Sequence, residues 1–212
     1  MQIAFPLYPR MTALDAIGPY EVLQRIPALD VVFVGERRGE VRTDNGFLGL
    51  TVDAAFDEVP APDVVVVPGG IGTRDMLAPG PYLEWLRAVH PGTRFTTSVC
   101  SGSLLLAAAG LLDGLTATSH WSVFALLERL GAVPVTERVV EHLDRRLITA
   151  AGVSAGIDMG IRLAELLVDD VAAQAAQVLI EYDPQPPFDA GHPSRVDDEV
   201  RDRIAEYASA RA

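Results

Sequence analysis

Lysine is absent from this chain of 212 residues, in which all 17 basic side chains are arginine. Schiff-base chemistry, and any other catalysis that needs a lysine amine, is thereby excluded. Cysteine occurs once, at Cys100, so no internal disulfide can form; this fits a reducing, cytoplasmic setting. The four histidines (His90, His120, His142 and His192) are scattered. With a single cysteine they give little basis for a four-ligand zinc site, and no metal is expected. Positive charge is scarce: 29 acids against 17 arginines leave a net charge of −12. A nucleic-acid partner needs a basic face, so none is expected. No apolar run approaches membrane-spanning length, the longest lying around residues 104–112. The first residues lack a charged segment followed by an apolar one, so no signal peptide is expected. The composition is that of a globular protein, with 49% hydrophobic and 22% charged residues. The length suits one domain with a substantial core. That core is placed at about residues 2–182, with a helical tail over 183–212.

The stretch from Phe95 to Ser103 organises the rest. A β-prone run (Phe95, Thr96, Thr97, Val99) ends at Cys100. Ser101 and Gly102 follow, then the helix-forming run from Leu104 to Ala109. Strand, tight turn and helix with a thiol on the turn make a nucleophile elbow with sulfur in place of oxygen. The following helix aims backbone N–H groups and the positive end of its dipole at the sulfur, which favours thiolate. A lone cysteine at a strand end is more commonly a small buried hydrophobe. The elbow pattern brings the nucleophile reading level with that one.

The chain before the elbow alternates strands and helices. A short apolar strand spans Gln2–Leu7. Thr12 and Asp15 then have capping-box spacing, so Asp15 reads first as a capping acid, in a helix interrupted by Gly18-Pro19. A second strand covers Val31–Val34. Asp44-Asn45-Gly46 marks a hairpin between short strands. Val64–Val67 is β-branched without alternation, as in the buried centre of a parallel sheet. It ends in the glycine loop Pro68–Gly72, whose bare N–H groups can serve as an oxyanion hole. The loop carries neither G-x-G-x-x-G nor a Walker lysine. After the elbow come a helix from His120-Trp121 to Leu130 and short strands near 133–135, 139–142 and 147–149. Helices follow at 155–168 and 171–180, and a polar helix covers 196–210 of the proline-rich tail. The alternation predicts an α/β three-layer sandwich with a mostly parallel central sheet, flavodoxin-like. In such a sheet the strand C-terminal ends share one edge, where ligands bind. Asp15, the glycine loop and Cys100 all fall on that edge.

The ordered motifs carry a resemblance. They run Asp15-x-x-Gly18-Pro19-x-Glu21-Val22-Leu23, Pro68-Gly69-Gly70, Val99-Cys100-Ser101-Gly102, Thr118-Ser119-His120-Trp121 and Gly152-Val153-Ser154-Ala155-Gly156-Ile157-Asp158. From about Gln2 to Ile180 the chain resembles the ThiJ/PfpI branch of the class I glutamine amidotransferase-like superfamily, and within it the isonitrile hydratases most. That resemblance implies a homodimer that hydrates a small-molecule isonitrile, R–N≡C, to an N-substituted formamide. It implies Cys100 as nucleophile, through a covalent thioimidate, with Asp15 hydrogen-bonded to the sulfur and Ser101 next to it. The protease-like members have His directly after the cysteine, so Ser101 counts against peptidase activity. The same domain occurs in AraC-type regulators fused to helix-turn-helix modules; with no such module among these 212 residues and a net negative charge, a DNA-binding role is not expected here.

For that chemistry Asp15 must hold a proton beside the sulfur, so its pKa is expected to be raised by burial. The N–H groups of Gly70 and Ser101 are expected to face the developing charge, and the Ser101 hydroxyl to reach substrate or water. Ile71 and His120 are candidate pocket residues; His120 reads first as a helix-start residue packed beside Trp121. Glu21 reads as structural or interfacial, Asp158 as part of its helix start, and Trp85 and Trp121 as core or interface. No cofactor is required. Two alternatives stay open. One is another thiol enzyme on this scaffold, glyoxalase/deglycase-like or amidase-like, the former usually with a histidine near the thiol. The other is an oxidation-sensing protein without turnover.

Overall fold

The computed structural model describes residues 1–209. Chain contacts divide it into two compact units, Met1–Ile180 and the residues from Glu181 on. In order, the first unit holds β1 (Gln2–Pro6), α1 (Ala13–Leu23), β2 (Asp30–Gly35), β3 (Gly39–Arg42), β4 (Gly49–Val52), β5 (Ala54–Ala55) and β6 (Val64–Val67). It continues with α2 (Pro81–Val89), β7 (Phe95–Val99), α3 (Gly102–Ala108), β8 (Thr116–Ala117), α4 (Phe124–Arg129), β9 (Val133–Pro134), β10 (Val139–His142), β11 (Leu147–Ala150), α5 (Ala155–Leu167) and α6 (Asp170–Leu179). The central sheet has seven strands in the order β10-β11-β7-β6-β1-β2-β5. Every pairing is parallel except the edge pair β10–β11. The sheet is flanked by helices, with α1 against α5 and α5 against α6 in one group, and α2 against α3 in another.

The sheet centre explains the sequence pattern. Val64 to Val67 are fully buried, as a strand covered on both faces requires. Register pairs Val67 with Ser98 and Ala150 with Val99. The ends of β6, β7 and β11 are therefore level, and the loops that follow them meet. Asn45-Gly46 does sit between antiparallel β3 and β4, in a connection of residues 43–48 that is longer than the tightest hairpin turns.

The expected break at Gly18-Pro19 is not present: α1 runs through Pro19 without interruption. Pro19 removes one N–H that would bond the Asp15 carbonyl, yet the helix continues past it to Leu23. The pair instead makes a close helix crossing. A Cβ on Gly156 of α5 would stand 3.2 Å from Pro19 Cδ, and one on Gly18 would stand 3.1 Å from Ile157 Cγ1. Tight packing against α5 thus holds α1, and Asp15 with it, in place.

In the second unit, α7 spans Asp198–Ser209, two residues later than the expected start at 196; the expected last residue, Ala210, lies outside the described residues. Val200, Ile204 and Tyr207 form an exposed stripe along it at i, i+4, i+7. Among the described residues no helix is long and apolar enough to cross a membrane.

Candidate active site

Cys100 lies directly after β7 with φ +58°, a left-handed conformation unusual for a side chain with a Cβ. The strain is held by the backbone: Cys100 N–H donates to the carbonyls of Ala150 (3.1 Å) and Ala151 (2.9 Å), and its carbonyl accepts from Ser119 Oγ at 2.9 Å. Gly102 allows the turn into α3, because a Cβ there would collide with the Val67 carbonyl. The N–H groups of Val153 and Ser101 are near Sγ and favour its charged form. Val153, whose own φ is +29°, was not a sequence candidate. The signal lay in Gly152-Val153-Ser154, a turn before α5 that the β7–β11 register carries back to the elbow.

Asp15 is fully buried and is not a capping acid. Thr12 makes no side-chain cap bond; its hydroxyl donates to Asp44 Oδ2 at 3.2 Å. Asp15 Oδ2 accepts the Gly69 N–H at 2.9 Å, Oδ1 is buried without a hydrogen-bond partner, and the carboxyl lies near enough to the Cys100 thiol for each to shift the other's pKa. Burial raises the Asp15 pKa from 3.8 to about 7, against the opposing pull of the Gly69 N–H and of Cys100. The expected direction and cause are both found.

The expected thiolate is not. Burial, then the Asp15 charge, push the Cys100 thiol up to about 12, outweighing the Val153 and Ser101 N–H groups that pull it down. Two turns of helix α3 supply a partial charge, and desolvation of a residue only 6% exposed is the larger effect. The pair therefore rests with a neutral thiol beside a carboxyl poised near neutrality.

The glycine loop also acts differently from the expectation. Gly69 N–H holds Asp15, and Gly70 N–H donates to Ser101 Oγ at 2.8 Å rather than facing a reaction centre. Ser101 Oγ in turn contacts Thr73 Oγ1 (3.0 Å) and the Gly70 carbonyl (3.1 Å). Thr73 Oγ1 contacts Tyr8 Oη at 2.9 Å. Tyr8, protonated because burial raises its pKa, donates to the Pro68 carbonyl at 2.9 Å. With that last acceptor fixed, Thr73 donates to Tyr8, and Ser101 has only inward acceptors for its proton. In this arrangement its hydroxyl ties the glycine loop to the elbow. Thr73 and Tyr8 were not sequence candidates.

A cavity of about 170 Å³ opens beside the sulfur. Its walls include Cys100, Ser101 and Gly70, the apolar side chains of Ile71, Leu104, Val123 and Val153, and His120. His120 thus shares the cavity with Cys100 and is also packed beside Trp121, with ring centroids 5.2 Å apart. Its Nδ1 accepts from Ser122 N–H at 3.4 Å and bonds Ser122 Oγ at 2.7 Å, and these are its side-chain hydrogen bonds among the described residues. Burial lowers its pKa, which keeps the ring neutral. Glu21 bonds Gln24 and Arg25, Asp158 pairs with Arg138, and Trp85 is core, stacked on Phe56. Trp121 is 43% exposed. Among the described residues there is no group of three or more His, Cys, Asp or Glu able to hold a metal ion.

A strained cysteine elbow, a buried acid from the first helix and a glycine loop at one sheet edge define a class of α/β proteins. The chain belongs to the DJ-1/PfpI family, whose pattern matches residues 1–166. It is 43% identical over 209 residues to the isonitrile hydratase of Pseudomonas putida, covering 97% of this chain and 90% of that protein. It superposes on the crystal structure of a ThiJ/PfpI family protein from Pseudomonas syringae with a TM-score of 0.92, at 37% identity, covering 99% of this chain and 86% of that one. It is also 36% identical over 117 residues to the transcriptional regulator GbdR of Pseudomonas aeruginosa, but this covers only 55% of the chain and 31% of the regulator.

Proposed function

We propose that the protein is an isonitrile hydratase, a hydro-lyase that converts R–N≡C and water to R–NH–CHO. The observation that carries it is the buried Asp15 carboxyl against the Cys100 thiol at the wall of a small, largely apolar cavity, in a chain alike over its full length to such an enzyme. An isonitrile carbon must gain a proton and a nucleophile. The thiol and acid supply both: the S–H proton passes by way of Asp15 to the terminal carbon, and sulfur bonds that same carbon. The product of this step is a thioimidate, R–N=CH–S–Cys100. Water then adds to the carbon, giving one proton to Asp15 while the nitrogen gains another. The C–S bond breaks, the thiol recovers its proton, and the formamide leaves. A carboxyl with a pKa near 7 suits both transfers. The N–H groups of Ser101 and Val153 stabilise negative charge on sulfur as it attacks and leaves.

The two alternatives receive less support. A glyoxalase-like site has use for a histidine hydrogen-bonded to the thiol, and the hydrogen bonds of His120 among the described residues run to Ser122. An oxidation sensor needs an exposed thiolate, whereas Cys100 is 6% exposed and its thiol is held neutral. The test is turnover of p-tolyl isocyanide followed by formamide appearance. Saturable formation of one formamide per isonitrile consumed is expected. A reactive thiol with no formamide would move the assignment to aldehydes or sensing.

We also propose a homodimer. Its support is the exposed apolar stripe on α6, where Val171 is 69% and Val178 77% exposed, an unusual thing to leave in water. Light scattering should give twice the 22.7 kDa chain mass, and a monomer would discard it.

A further inference from the structure

The cavity beside Cys100 has an uneven charge inventory. Arg74, from the 3-10 turn Ile71–Met76 after the glycine loop, lines it, and no Asp or Glu does. This is notable in a chain of net charge −12. The nearby acids are engaged elsewhere. Asp75 pairs with Arg10 at 3.4 Å, and Asp44 accepts from Thr12 Oγ1 and from the Asn45 N–H. The Arg74 guanidinium has neither a hydrogen-bond nor an ion-pair partner among the described residues, whereas Thr73 and Asp75 on either side of it are both bonded. The remaining polar lining points the same way. The hydroxyls of Ser101 and Thr73 donate inward. Ser122 bonds His120 Nδ1, which leaves the ring proton of His120 on Nε2. The wall thus offers a guanidinium and an imidazole N–H, both donors, around an apolar middle.

Building on the hydratase assignment, we propose that the isonitriles this site takes carry a carboxylate on the R group, and that Arg74 is the specificity-determining residue that binds it. The isonitrile end meets Cys100, the body of R lies on Ile71, Leu104 and Val123, and the anion meets Arg74. Guanidinium and carboxylate match in geometry and charge. The exposed position of Arg74 makes the attraction sensitive to salt.

The experiment compares two matched pairs as substrates: isocyanoacetate with its methyl ester, and 4-isocyanobenzoate with its methyl ester. In wild type the carboxylate should be favoured in kcat/KM by about tenfold in at least one pair, mainly through KM, the scale of one charge-assisted hydrogen bond. The ratio should shrink with added salt, fall to near one in Arg74→Gln, and recover in part in Arg74→Lys. Equal use of acid and ester by wild type overturns the proposal and leaves the hydratase assignment standing. So does a ratio unchanged in Arg74→Gln. No turnover of any of the four compounds, nor of p-tolyl isocyanide, overturns both.

Discussion

Cys100→Ala is expected to make no detectable formamide, a loss of at least about a thousandfold, because the bond to the substrate carbon has no other atom to form with. The variant should nevertheless fold. Cys100 is held at φ +58° by the Ala150 and Ala151 carbonyls and by Ser119, and alanine makes the same backbone bonds. The left-handed conformation costs cysteine and alanine alike, roughly 1–2 kcal/mol. What is lost is one buried sulfur and the contact with Asp15. A thermal midpoint within a few degrees of wild type, together with absent turnover, separates chemistry from collapse. Intact mass spectrometry adds the covalent step: wild type quenched during turnover should carry one substrate mass, and the variant none. Formamide formed by Cys100→Ala at the wild-type rate would sink the thioimidate route.

The fold was legible because its signals are local. The β-branched run Val64–Val67, the strand–turn–helix at Cys100 and the alternation around them describe a doubly covered parallel sheet before any contact is known. Among the strands, Ala54–Ala55 and Thr116–Ala117 left no trace, being too short to show a period. Cys100, Ser101, Gly70, Ile71 and His120 do share one cavity, whereas Val153, Thr73 and Tyr8 went unread and several duties differ. Asp15 has the spacing of a capping acid, and only the sheet brings it to Gly69, 54 residues away. Pro19 reads as a helix stop and is a packing residue, because its partner surface, Gly156, lies in α5. Gly70 and Ser101 belong to the site, but their hydrogen bonds go to each other, which no spacing reveals. The misread thiolate has a physical reason. A helix after a cysteine can be counted from sequence, whereas burial, the larger influence on a thiol's pKa, depends on every layer around it.

Asp15→Asn is the second variant expected to have a large effect, and it tests charge with little change of shape. The asparagine oxygen can still accept the Gly69 N–H, and its amide nitrogen takes the place of the oxygen that meets the thiol. No proton can be relayed, so kcat should fall about 10²- to 10⁴-fold. In wild type kcat/KM should rise with an apparent pKa near 7, as the pair of carboxyl and thiol loses its first proton; the residual rate of the variant should lack that limb. Stability should move in the opposite sense. The carboxyl titrates near 7 when folded against an ordinary value of 3.8, so between these values the folded protein keeps a proton that the unfolded chain releases. The stability linked to that proton is fully present below about pH 4 and is lost as pH rises through 7, a change on the order of 4 kcal/mol. Asparagine has no such proton to lose. Relative to wild type, Asp15→Asn should therefore gain stability from about pH 4 to about pH 8, while losing activity throughout. Denaturant unfolding of both proteins at the two pH values cancels the titration of every other group that the substitution leaves alone. A difference that stays flat with pH would mean that Asp15 is ionised at little cost in the folded state. The acid would then be an electrostatic fixture of the site and not its proton carrier.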